Sequence, residues 1–147
     1  MNEVITTLSA KRRERQMKAE RNLLRELPVE VLKKSFQSHF GSFRINGGAW
    51  MEQGIEEGCY DVAIEAYLLG GHYSRFGYYG EPAEQAKKRC ETELKHITDT
   101  LYNFWLYWTF GNDTMQESIS YTCEQFADYF WSYGFKKGEQ RRKLRLH

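Results

Sequence analysis

The chain has no Cys-x-x-Cys pair, no Cys and His at structural-zinc spacing, and no apolar run long enough to cross a bilayer. Its three cysteines, Cys59, Cys90 and Cys123, are odd in number and far apart, so reduced cytosolic thiols are the simplest account of them. Nothing at the N-terminus resembles a secretory signal, and a cytoplasmic protein without membrane insertion is expected. Signatures of common catalytic folds are missing as well: there is no Gly-x-Ser-x-Gly elbow, no Walker loop and no Rossmann fingerprint. Gly70-Gly71 lacks both the preceding strand and the following Lys-Ser/Thr of a phosphate loop. No catalytic residue and no cofactor is assigned.

What the chain does contain is aromatic mass and segregated charge. Four Trp, ten Tyr and nine Phe among 147 residues supply ample apolar area for the core of a single domain spanning 1–147. Residues 1–34 carry a net charge of +4, residues 35–135 carry −8, and residues 136–147 carry +5. An acidic body is thus flanked by basic ends, an arrangement that steers partners, folds the ends onto the body, or pairs one copy with another.

Helical periodicity dominates and no period-two strand set competes with it. Residues 3–27, free of Pro and Gly and rich in Arg, Lys, Glu, Gln and Leu, predict a charged helix that projects from the body or lies across it. After Pro28, the spacing of Val29, Leu32, Phe36 and Phe40 predicts a short second helix. Gly41 to Gly48 read as a connection. Met51, Ile55, Cys59, Val62, Ala66 and Leu69 then predict a helix over 50–69, in which Gly54 and Gly58 signal either a close neighbour or an irregular turn. A fourth helix over 82–109, with Pro82 in its first turn and Ala83, Ala86, Cys90, Leu94, Ile97, Leu101, Phe104 and Trp108 on one stripe, is expected as the central element. Gly111 and Asn112 close it. Asp113 with Gln116 resembles a capping box for a fifth helix, carried by Met115, Ile119, Cys123, Phe126 and Phe130 and ending near Gly134; residues 136–147 are expected as a flexible basic tail. The fold class that follows is all-α, a compact bundle of four to five helices.

Candidate chemistry is sparse. Glu93 and His96 have the Glu-x-x-His spacing of helical di-metal sites, but only Glu93 falls near the apolar arc, at about 60 degrees from its centre; a second such pair is missing, and no metal ligand set is assigned. The three cysteines fall on apolar stripes and read as small buried hydrophobes. The segment Gly70 to Gly80 is the most distinctive, an expected glycine-rich loop whose Tyr73, Arg75, Phe76, Tyr78 and Tyr79 suit recognition of a partner or serve as a cover over the helix ends. The basic ends supply an alternative, phosphate contacts to nucleic acid through Arg12, Arg13, Arg15, Arg141 and Arg142.

The segment Lys11-Arg12-Arg13-Glu14-Arg15-Gln16, the junction Leu23-Leu24-Arg25-Glu26-Leu27-Pro28, the stretch Phe36-Gln37-Ser38-His39-Phe40 and the aromatic second half together resemble a family of small uncharacterised soluble proteins from spore-forming bacilli. The resemblance implies a bacterial cytoplasmic protein and supplies no enzyme class or catalytic residues. The function expected is that of a small non-enzymatic interaction or regulatory protein, self-associating as a homodimer. Nucleic-acid association is the first alternative, and an enzyme or metal-binding bundle with an unrecognised site is the second.

Overall fold

The computed structural model describes residues 2–43, 49–108 and 113–145, with side chains for 7–43, 53–108 and 115–145. Among the described residues there is no strand and there are six helices: α1 (Asn2–Arg25), α2 (Val29–Phe40), α3 (Ala49–Tyr78), α4 (Ala83–Arg89), α5 (Glu91–Trp108) and α6 (Asp113–Lys143). The expected bundle is therefore all-helical, with six elements rather than four or five. The break at Pro28 is the expected one, and the break at Cys90 accounts for the difference. At Pro28 the chain is extended (φ −68°, ψ 144°), separating α1 from α2. At Cys90 (φ −114°, ψ 26°) the backbone N–H reaches back three residues to the Lys87 carbonyl, which splits the single helix expected over 82–109 into α4 and α5. The apolar stripe continues through Cys90 because the break leaves its side chain buried, so periodicity alone could not locate it.

The central element is the pair α3 and α6, which forms the largest helix–helix interface, and not the expected helix around α5. The two run parallel: Tyr67 lies against Gly134, Gly70 against Trp131, and Ser74 against Gly138. A Cβ on Gly134 would collide with the Tyr67 carbonyl, and one on Gly70 with the Trp131 carbonyl, so glycine at both positions lets backbone meet backbone. This reverses two sequence expectations. Gly70 and Gly71 do not end a helix at residue 69, and Gly134 does not end the last one; α3 continues to Tyr78 and α6 to Lys143. The segment read as a glycine-rich loop is therefore mostly helix, and only Gly80 adopts a left-handed φ of +99°. Likewise, residues 136–143 form the last turns of α6 instead of a flexible tail.

The remaining helices run against this pair. Trp105 is fully buried and stacked on Phe40 with ring centroids 4.6 Å apart, tying α5 to α2. Gly58 faces the Phe104 ring, the close approach expected there, whereas nothing described lies within 4 Å of a Cβ at Gly54. A second, smaller cluster of Ala86, Cys90, Trp131 and Phe135 closes the other end, where the Trp131 indole N–H donates to Cys90 Sγ at 3.2 Å. Truncating a fully buried Trp of this kind to Ala ordinarily costs about 3–5 kcal/mol. The connection at 44–48, the Gly111–Asn112 stop and the Asp113 cap side chain lie outside the described residues.

Candidate functional site

The glycines that draw α6 onto α3 also carry its basic end to a place where α1 joins them. Leu23, buried near the end of α1, packs over Gly71, and the buried Tyr67 hydroxyl donates to the Leu23 carbonyl at 2.6 Å. Further toward its N-terminus α1 presents Arg15, Gln16 and Lys18; α3 presents Leu68, His72 and Ser74; α6 presents Arg141 and Arg142. Together they line a groove of about 610 Å³. Its floor is apolar or small (Ala19, Leu23, Leu68, Gly71, Gly138), its walls are cationic, and Glu20 is the one carboxylate among its lining residues.

The two α6 arginines differ in what holds them. Arg141 pairs with Glu26 at 3.3 Å. Arg142 instead donates its Nε–H to Ser74 Oγ at 3.1 Å, and the fully buried Ser74 hydroxyl spends its own proton on the Gly71 carbonyl at 2.5 Å. Ser74 can accept from Arg142 because its donor is already committed. The rest of the Arg142 guanidinium has no protein acceptor among the described residues, and a planar fork in that state suits a carboxylate or phosphate. Burial, followed by the neighbouring Arg75 charge, lowers the Arg142 pKa from its usual value, with Tyr79 acting in the opposite direction. Burial and the charges of Arg75 and Arg142 also lower the His72 pKa, opposed by Glu20. Both shifts come first from burial, and the neighbouring positive charges add to it.

The structure divides the residues expected at the recognition loop. Tyr73 and Phe76 are half-buried over the Cys90–Trp131 cluster, with Phe76 beneath the guanidinium groups of Arg75 (4.9 Å) and Arg89 (4.2 Å). They serve as cover. Arg75, Tyr78 and Tyr79 are exposed, and Arg75 and Tyr79 lie within electrostatic reach of Arg142. Of the alternative phosphate contacts, Arg15, Arg141 and Arg142 converge in the groove, while Arg12 and Arg13 are exposed on α1 outside its lining. Two sites separate in sequence thus become neighbours. Lys18 belongs to the basic N-terminal segment and His72 and Ser74 to the 70–80 segment, but neither the sequence pattern nor the resemblance joined them or gave Glu26 a role; the part played by Ser74 depends on the helix continuing one turn beyond Gly70.

Other expected chemistry is placed differently. Glu93 and His96 are both exposed, so Glu93 does not line the interior, and the Tyr73 hydroxyl donates to its carboxylate at 3.5 Å. No group of three or more His, Cys, Asp or Glu among the described residues is arranged to hold a metal ion. Cys59, Cys90 and Cys123 are buried free thiols, as expected from their stripes. Burial raises the pKa of each, that of Cys59 to about 12, which disfavours the nucleophilic thiolate. Among the described residues no helix is long and apolar enough to cross a membrane.

The chain is 34% identical to an uncharacterised protein, YbaK, of Bacillus subtilis (strain 168), over 99% of both chains. No solved structure matches. The model of a family described as proteins of unknown function, DUF2521, matches residues 1–147, and the chain belongs to that family.

Proposed function

We propose that the protein is a small, non-enzymatic interaction protein that docks an acidic segment of a protein partner in the groove between α1, α3 and α6. The observation that carries this reading is the Arg142 guanidinium, held half-buried by a hydroxyl rather than a carboxylate and facing a groove with an apolar floor. An acidic peptide answers both features, setting carboxylates on the walls and an apolar side chain on the floor. The exposed Arg75, Tyr78 and Tyr79 extend the same face beyond the groove. We place this activity in the cytoplasm, where three buried thiols stay reduced.

Fluorescence anisotropy with labelled poly-glutamate, poly-lysine and single-stranded oligonucleotides tests the reading. Poly-glutamate is expected to bind at about 50 mM salt, where Coulomb attraction is little screened, and any attraction of poly-lysine to the acidic body is expected to be independent of the groove residues. Replacing Lys18 and Arg142 with Gln should weaken poly-glutamate at least about tenfold, the scale of one lost charge-assisted contact, with cooperative melting retained. The reading fails if poly-glutamate does not bind, if the double substitution has no effect, or if an oligonucleotide of equal charge binds more tightly.

A further inference from the structure

Helix α3 is polarised in charge along its length. From Ala49 to Glu65 it contains Glu52, Glu56, Glu57, Asp61 and Glu65 and no Lys or Arg; from Ala66 to Tyr78 it contains His72 and Arg75 and no acid. At 100 degrees per residue, Glu57, Asp61, Glu65, Leu68, His72 and Arg75 fall within an arc of about 80 degrees. All are exposed except Leu68, which is half-buried and belongs to the groove floor. Glu57, Asp61 and Glu65 form no ion pair among the described residues. One outward face thus carries an unpaired acidic row at one end and the cationic groove at the other.

From this geometry we infer that the acidic segment taken by the groove belongs to a second copy of the chain, an inference that rests on the groove reading above. Asp61 and Arg75 stand seven residues to either side of Leu68, about 10 Å along the helix in each direction. A two-fold axis through Leu68, perpendicular to α3, lays the helices antiparallel and sets Asp61 of each copy against Arg75 of the other. The same operation carries Glu65 toward the His72, Lys18 and Arg142 side of its partner, while the two Leu68 side chains meet at the axis. Every charge contact is formed twice, as in any isologous interface. A parallel pairing sets acid on acid and base on base, and like-charge juxtaposition excludes it.

Analytical ultracentrifugation of the full chain at tens of micromolar tests the inference. A dimer is expected at about 50 mM salt, weakened about tenfold or more at about 500 mM as the Debye length contracts. The exposed substitutions D61R with E65R in one variant, and R75E in another, should each give folded monomers, with unchanged helicity by circular dichroism. Mixed in equal amounts, R75E and the single substitution D61R, which leaves Glu65 in place opposite the groove, should assemble with each other, because the swapped charges at positions 61 and 75 then attract only between unlike chains. A monomeric wild type, variants that remain dimeric, or a mixture that fails to assemble overturns the inference. Poly-glutamate binding to the D61R/E65R variant, whose groove is intact, separates the two proposals. If the wild type is monomeric but poly-glutamate still binds, the groove reading stands and the second copy falls. If the charge-swapped pair reassembles while poly-glutamate is ignored, the groove reading fails for unstructured acidic segments and recognition is confined to the folded face.

Discussion

At the residue scale, glycine has opposite meanings at different places in this chain. Gly134 is fixed by contact, since a Cβ there would enter the Tyr67 backbone carbonyl, which cannot rotate away as a side chain does. The Gly134→Ala substitution gains up to about 1 kcal/mol of helix propensity and forces apart the two longest helices, a strain of about 3 kcal/mol or more. The net expectation is a loss of about 2 kcal/mol, or about 6 °C in melting temperature. Gly54, with nothing described within 4 Å, is the control. There Gly54→Ala should raise stability by up to about 1 kcal/mol. Calorimetric melting of both variants measures the contrast, and equal shifts would contradict the close contact of α3 with α6. Ser74 carries a related lesson: its hydroxyl holds Arg142 only because α3 continues past Gly70 and α6 past Gly134.

At the element scale, the helices that were legible from sequence were those whose apolar stripes face one core. The bounds of α2 agree residue for residue, and Leu32, Phe36 and Phe40 are buried where their spacing placed them, whereas Val29 at its first position is exposed. Helix ends were less legible. Glycine weakens an isolated helix whether it terminates the helix or admits a neighbour, and the neighbour is not local in sequence. The end of α6 illustrates the consequence. Gly138 lies against Ser74, Arg141 pairs with Glu26, and Arg142 bonds to Ser74, so residues 136–143 are tied to both α3 and α1. Deleting residues 136–147 should therefore lower stability by about 2 kcal/mol or more and abolish poly-glutamate binding, whereas removal of a flexible tail changes stability by less than about 0.5 kcal/mol. Chemical denaturation of the truncated chain distinguishes the two outcomes.

At the scale of the whole molecule, the cysteines report how the bundle opens. Cys59 and Cys123 lie in the main core and Cys90 in the smaller cluster, all fully buried. With its pKa near 12, Cys59 is ionised in only about one molecule in ten thousand at pH 8 even before access is considered. None of the three should react with a thiol reagent in the native state except through opening, and all three should react promptly in denaturant. Earlier reaction of Cys90 alone would show the smaller cluster opening first; prompt stoichiometric labelling of Cys59 or Cys123 in the native protein would contradict the packing.

Apolar spacing by itself determined the all-helical class, the face that each helix buries and the burial of the three thiols, because those properties depend on residues within a few turns of one another. Composition likewise determined that basic ends flank an acidic body. Only the tertiary structure decided that α3 and α6 form the centre, that the helices pass through Gly70 and Gly134, and that Arg15, Arg75 and Arg142 become neighbours. The physical reason is one of range: a stripe is a local period, whereas the groove exists because glycines distant in sequence allow two backbones to touch and bring opposite ends of the chain to the same face.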